Sequence, residues 1–360
     1  MHRDAPLTSL LLVAALLARP TAAQAPTAHA AELQRCRAVW FQEGDHPIAA
    51  EIGLSFAPRA FDDATKRAWN GKAPGTRVPL AEQAWAELVS FTDLEFGSVK
   101  VKAGAYYTVL EQGKDGWRLG LLDADKVRAA QLAPGATNQE PLLAAIPMQS
   151  ATGNGSPLQL AIDATADDGS FALVAQFGPH RLSAMGRVKG VRNSAPITMQ
   201  DARSSQHVPL GPTVAGRTPF AVLDHGLPKW NTQLHEACDA LRPGSPWRLG
   251  KDWATTLDTN AALQLGGKKL GAGSWHLALL KTESSWSLVV TSAPADYRAR
   301  LDAFAAGQGK PVLEVPLRQE FVKPMFEELR LHFEPEGAGL DLVIEFGPQR
   351  LSLPFALAKG

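Results

Sequence analysis

One heptapeptide appears twice. Phe177-Gly178-Pro179-His180-Arg181-Leu182-Ser183 returns as Phe346-Gly347-Pro348-Gln349-Arg350-Leu351-Ser352, 169 positions further on. The same displacement aligns Pro74-Gly75 with Pro243-Gly244, Gly97 with Gly266, Ala103-Gly104 with Ala272-Gly273, Trp117 with Trp286 and Pro147 with Pro316. A register kept without net insertion over that length predicts a tandem duplication of one domain, with a period too long for a solenoid repeat. Each copy is long enough to bury its own core.

Within each copy the hydrophobic period is mostly two. Tyr106, Thr108 and Leu110 alternate with Ala105, Tyr107 and Val109, and Trp275, Leu277 and Leu279 alternate with Ser274, His276 and Ala278. Further strands are expected at Leu158 to Ala164, Phe171 to Phe177 and Arg181 to Met185, and at Glu327 to Phe333, Leu340 to Phe346 and Arg350 to Phe355, with the Gly-Pro pair as a hairpin turn. Short helices are expected at Ala31 to Trp40, Phe61 to Trp69 and Asn231 to Ala240, and within Asp123 to Leu132 and Ala293 to Ala306. The fold class that follows is mainly β: two tandem antiparallel β-sandwich-like domains with a few short helices. The expected domains are residues 24–192 and 219–360, joined by a Ser/Pro/Gly-rich linker at 193–218.

The start of the chain has the layout of a secretory signal peptide over residues 1–23: Arg3, an apolar run from Leu7 to Leu17, then Thr21-Ala22-Ala23. The run is shorter than the roughly 20 residues of a membrane span. The expectation is an exported protein, periplasmic or extracellular, without a transmembrane anchor. Lysine plus arginine total 36 and aspartate plus glutamate total 36, interspersed, so no field steers a polyanion and nucleic acid is not an expected partner. Cys36 and Cys238 are the two cysteines; in an exported chain they either form a bridge or stay as buried thiols.

The second copy contains Pro246-Trp247-Arg248-Leu249-Gly250-Lys251-Asp252-Trp253-Ala254-Thr255-Thr256-Leu257, then Gly267-Lys268-Lys269-Leu270-Gly271-Ala272-Gly273-Ser274-Trp275 and Trp286. This resembles an exported bacterial family named domain of unknown function 2911, whose hallmark is a tryptophan-arginine loop, a glycine-lysine and alanine-glycine strand, and a tryptophan strand. The resemblance covers roughly Pro243 to Leu353 and implies fold and location more than activity. The family's asparagine and glutamate fall on Asp252 and Trp253, and in the first copy Pro79 stands where Arg248 stands.

The residues that could carry binding are these. Arg248 offers a planar fork for an anion, Lys251 a point charge, and Trp253 a face for a sugar; alternatively Trp247 plugs the core and Arg248 pairs with Asp252. Arg181 and Arg350 either tie their strands to a carboxylate such as Glu345 or each hold an anion. Tyr107 and His276, read as outward, could form a carbohydrate platform. The histidines lack metal spacing: His235-Glu236 has no second histidine after it, and His332 reads as a solvated or hydrogen-bonded strand residue. No metal or cofactor is expected. Gly153-Asn154-Gly155-Ser156-Pro157 reads as a loop, not a nucleophile elbow. The leading expectation is a non-catalytic binding or envelope-associated module for a glycan, small anion or envelope protein. The rival is a hydrolase with its site in the second copy or the interdomain cleft, built on Arg248, Asp252 and His276.

Overall fold

A computed structural model describes residues 27–358 apart from 31–32, 42–47, 71–73, 82–83, 134–139, 165–166, 192–193, 202, 216, 302–306 and 338. The expected signal peptide and Gln24 lie outside the described residues. The protein is mainly β, with four short helices among the described residues, none long and apolar enough to cross a membrane.

A two-residue strand, β1 (His29–Ala30), precedes β2 (Gln34–Phe41), β3 (Ile48–Phe56), α1 (Asp63–Asn70), β4 (Arg77–Pro79), β5 (Glu87–Ser90), β6 (Leu94–Phe96) and β7 (Val99–Val101). There follow β8 (Gly104–Gly113), β9 (Gly116–Leu122), α2 (Ala124–Ala129), β10 (Leu142–Pro147), β11 (Gln149–Asp163) and β12 (Ser170–Val188). The second half runs β13 (Pro196–Asp201), β14 (Arg203–Pro209), β15 (Phe220–Gly226), α3 (Thr232–Asp239), β16 (Pro246–Arg248), β17 (Thr255–Thr259), β18 (Leu263–Leu265) and β19 (Lys268–Leu270). It closes with β20 (Gly273–Lys281), β21 (Trp286–Ser292), α4 (Ala293–Arg298), β22 (Pro311–Pro316), β23 (Arg318–Glu336) and β24 (Gly339–Leu357).

These strands form two eight-stranded and two four-stranded antiparallel sheets. One half packs the sheet β10-β9-β8-β5-β3-β2-β13, with β4 beside β8, over β11-β12-β6-β7; the other packs β1-β14-β15-β17-β20-β21-β22, with β16 beside β20, over β19-β18-β24-β23. Each pair encloses its own apolar core. Trp40, Phe56, Leu94 and Phe171 mark the first; Leu263, Leu288, Leu342 and Phe355 mark the second. The long hairpins β11/β12 and β23/β24 close each sandwich.

The edges of the large sheets are exchanged. β1, which leads into the first half, pairs with β14 of the second, and β13, which leads into the second, pairs with β2 of the first. Residues 193–218 are therefore no plain linker: β13 and β14 each supply backbone hydrogen bonds to a sheet, as extended polar segments must when they lie against a neighbour.

Three further expectations change. The segment read as a helix at Ala31 to Trp40 is the strand β2 from Gln34 on, with Cys36, Ala38 and Trp40 in the core while Arg35 and Arg37 are buried on the opposite face. The period of two is present in the sequence, Arg35 and Arg37 alternating with Cys36 and Ala38, but the polar face is buried as well. The Gly-Pro pairs are not hairpin turns; each lies inside a 19-residue strand. Gly178 and Gly347 take φ of +55° and +58° where the ladder slips register, and a Cβ there would meet the ring of Phe61 at 2.3 Å and of Trp230 at 2.5 Å. Glycine is required by both the left-handed backbone and the ring. Likewise Gly153 to Pro157 belongs to β11, at another slip in that ladder. The helix expectations near Phe61 and Asn231, and after Asp123 and Ala293, are met by α1, α3, α2 and α4.

Candidate ligand pocket of the second half

The outward faces of the two large sheets do not meet water; they meet each other. Tyr107 donates to the carboxylate of Asp258, and Arg128 Nη1 reaches Asp258 Oδ1 at 3.0 Å and the Tyr107 hydroxyl at 2.9 Å. Arg35 lies 3.7 Å from Asp224, which also accepts from Arg203 Nε at 2.7 Å. Trp253 is buried under the guanidinium of Arg35, 4.6 Å from its ring centroid, beside Phe91 and Tyr297. Tyr107 and His276 are 1% and 4% exposed, so neither forms a carbohydrate platform, and Trp253 offers no face to a sugar. For Tyr107 the partner on that face is the other half of the chain.

The candidate hydrolase set does not assemble. His276 Nδ1 meets Asp296 at 2.9 Å and Nε2 meets the Tyr297 hydroxyl at 3.1 Å, so both nitrogens are engaged inside the protein. Asp252, at φ +63°, turns to Arg37 at 3.9 Å and Lys251 at 3.4 Å instead of pairing with Arg248. Lys251 is exposed beside it. In β16, Trp247 stands opposite Leu279 and packs on the core, and Arg248 stands opposite Ala278.

Arg350 ties down three carboxylates: Glu345 at 3.2 Å, Glu334 at 2.5 Å and Glu320 at 4.0 Å. Its partner in the repeated motif, Arg181, reaches Asp163 at only 4.0 Å with both side chains largely exposed. His332, Glu334 and Glu345 offer ligand atoms within 4.8 Å of one another, a cluster that spacing in the sequence does not announce. Arg350 already occupies both of its carboxylates, and His332 Nε2 is 2.8 Å from Glu334.

Cys36 and Cys238 are separate free thiols in different cores, not a bridge. Burial pushes the Cys36 thiol up to about 12 and the Cys238 thiol up as well. Cys238, however, lies on the wall of the one feature that sequence reasoning missed.

Asn231 caps α3 by accepting from Leu234 N at 2.9 Å, which holds the helix across the mouth of the second sandwich. Leu234 and Cys238, one turn apart, face the same way. Together with Trp230, Trp247, Trp286, Ile344, Phe346 and Gln349 they line a cavity of about 250 Å³. Trp230 packs edge-on against Phe346, with ring centroids 4.6 Å apart.

The equivalent place in the first half is full. Trp69 of α1 stacks on Trp117 at 4.4 Å, meets Phe177 edge-on at 5.0 Å and lies 5.5 Å from His180. Displaced by 169 positions, these four are Cys238, Trp286, Phe346 and Gln349. A thiol in place of an indole leaves the space open. The signal was present in the chain, as a large-to-small exchange within an aromatic group at a fixed offset.

Residues 229–355 match the family described as "Protein of unknown function (DUF2911)". That span contains every residue named above in the pocket wall. No curated protein and no solved structure matches this chain.

Proposed function

We propose that the protein is an exported binding module of two duplicated β-sandwich domains, residues 24–192 and 219–360 with the exchanged strands between them, whose second copy holds a small apolar molecule. The observation that carries the reading is the cavity of about 250 Å³ beneath α3, open where Trp69 fills the first half. Cavities with predominantly apolar, aromatic walls and few polar groups are the usual form of small-molecule sites. An apolar cavity of about 150 Å³ takes benzene, so this one has room for two fused rings. The duplication is supported by elements whose bounds repeat at the displacement of the sequence motif, among them α1 and α3, β7 and β19, and β12 and β24. Export rests on the leader-like composition of residues 1–23.

Binding is measured by the change in tryptophan fluorescence on titration with tetralin, a neutral bicyclic hydrocarbon, because three tryptophans line the wall. The Cys238→Trp variant restores the plug of the first half and is expected to lose tetralin binding by at least roughly tenfold without loss of fold. Binding that survives this substitution, or no binding by the native protein, rejects the pocket.

A further inference from the structure

The apolar wall carries one polar side chain with an orientation set by its neighbours. Trp286 Nε1 donates to Gln349 Oε1 at 2.8 Å, and Gln319 Nε2 donates to the same oxygen at 3.1 Å. An indole N–H is a donor only, so the amide oxygen of Gln349 must face it and the amide cannot be reversed. The Gln349 NH₂ group is thereby turned to other partners, and among the described residues no hydrogen bond uses it. Gln349 is half-buried at the pocket, so its N–H groups are met by solvent unless a ligand replaces it.

We infer that the pocket takes a bicyclic-sized molecule bearing a carbonyl-type acceptor, read by the Gln349 amide; this rests on the pocket reading above. A ligand that expels the water must replace its acceptor or strand an N–H in an apolar wall. In the first half His180 stands at the Gln349 position, with its ring 5.5 Å from that of Trp69.

The test compares tetralin with 1-tetralone, the same skeleton with one carbonyl, on the full chain and on two variants. Native protein is expected to bind the ketone at least roughly tenfold more tightly. Gln349→Glu keeps an acceptor for Trp286 but removes the donor, and is expected to bring the ketone to the level of the hydrocarbon while tetralin changes by no more than about twofold. Gln349→Met checks the same loss without added charge. Equal binding of the two probes by native protein overturns the acceptor and leaves the pocket standing. A ketone preference that survives both substitutions overturns the role of Gln349. Binding of neither probe overturns the pocket and this inference together.

Discussion

The two halves differ at one place under their first helix. In the first, Trp69 stacks on Trp117 and completes the core; in the second, Cys238 leaves Trp286 facing a cavity. Similarly placed strands and helices thus frame a plug in one case and an opening in the other. A single side chain decides between them because a sandwich core is close-packed, so that removing an indole cannot be absorbed by small shifts of the sheets.

The comparison is broken most directly from the first half. Trp69→Cys copies the second half, and removal of a buried indole is expected to cost about 3–5 kcal/mol of stability in denaturant unfolding. If the variant stays folded, the stoichiometry of tetralin should rise from one site to two. A loss of well under 1 kcal/mol would mean that the indole does not complete the core.

Next in size is the layer between the halves. Glu87 of β5 is buried there, and burial pushes its carboxyl up to about 7, with Asp258 adding in the same direction; the position displaced by 169 is the uncharged Thr256. The unfolded chain loses this proton first, near the ordinary carboxylate value of 4.5. Stability should therefore fall as pH rises from about 4.5 to about 7 and be flat beyond. Glu87→Gln is expected to remove most of that slope, on the order of 3 kcal/mol between pH 4.5 and 8. Unfolding curves at both pH values measure it. A slope unchanged in the variant would assign the pH dependence to other groups, Asp258 first, since burial raises it too.

The smallest effect separates the repeated arginines. Arg350→Ala leaves the carboxylates of Glu334 and Glu345 close together without their cation, at a cost of about 1 kcal/mol; Arg181→Ala removes an exposed contact, at a cost of a few tenths. Equal costs in thermal unfolding would remove the distinction.

The fold class was legible because alternation in β8 and β20 survives in the sequence. Strand β2 was read as a helix although Arg35 and Arg37 alternate with Cys36 and Ala38; that this polar face is buried against the other half is decided by residues far along the chain. The Gly-Pro motif was noticed for its repetition and misread as a turn, because a left-handed glycine serves a bulge as well as a hairpin and only the ring packed upon it distinguishes them. Of the nine residues first singled out for binding, Trp247 and Arg248 belong to the lining.

The chain by itself determined its strand-rich character, since this depends on local side-chain pattern. Tertiary structure alone decided that the outward faces would be buried together, that the edge strands would be exchanged between halves, and that Cys238 would open a cavity. Each of these depends on what packs against a residue from far along the chain, and local periodicity does not record that.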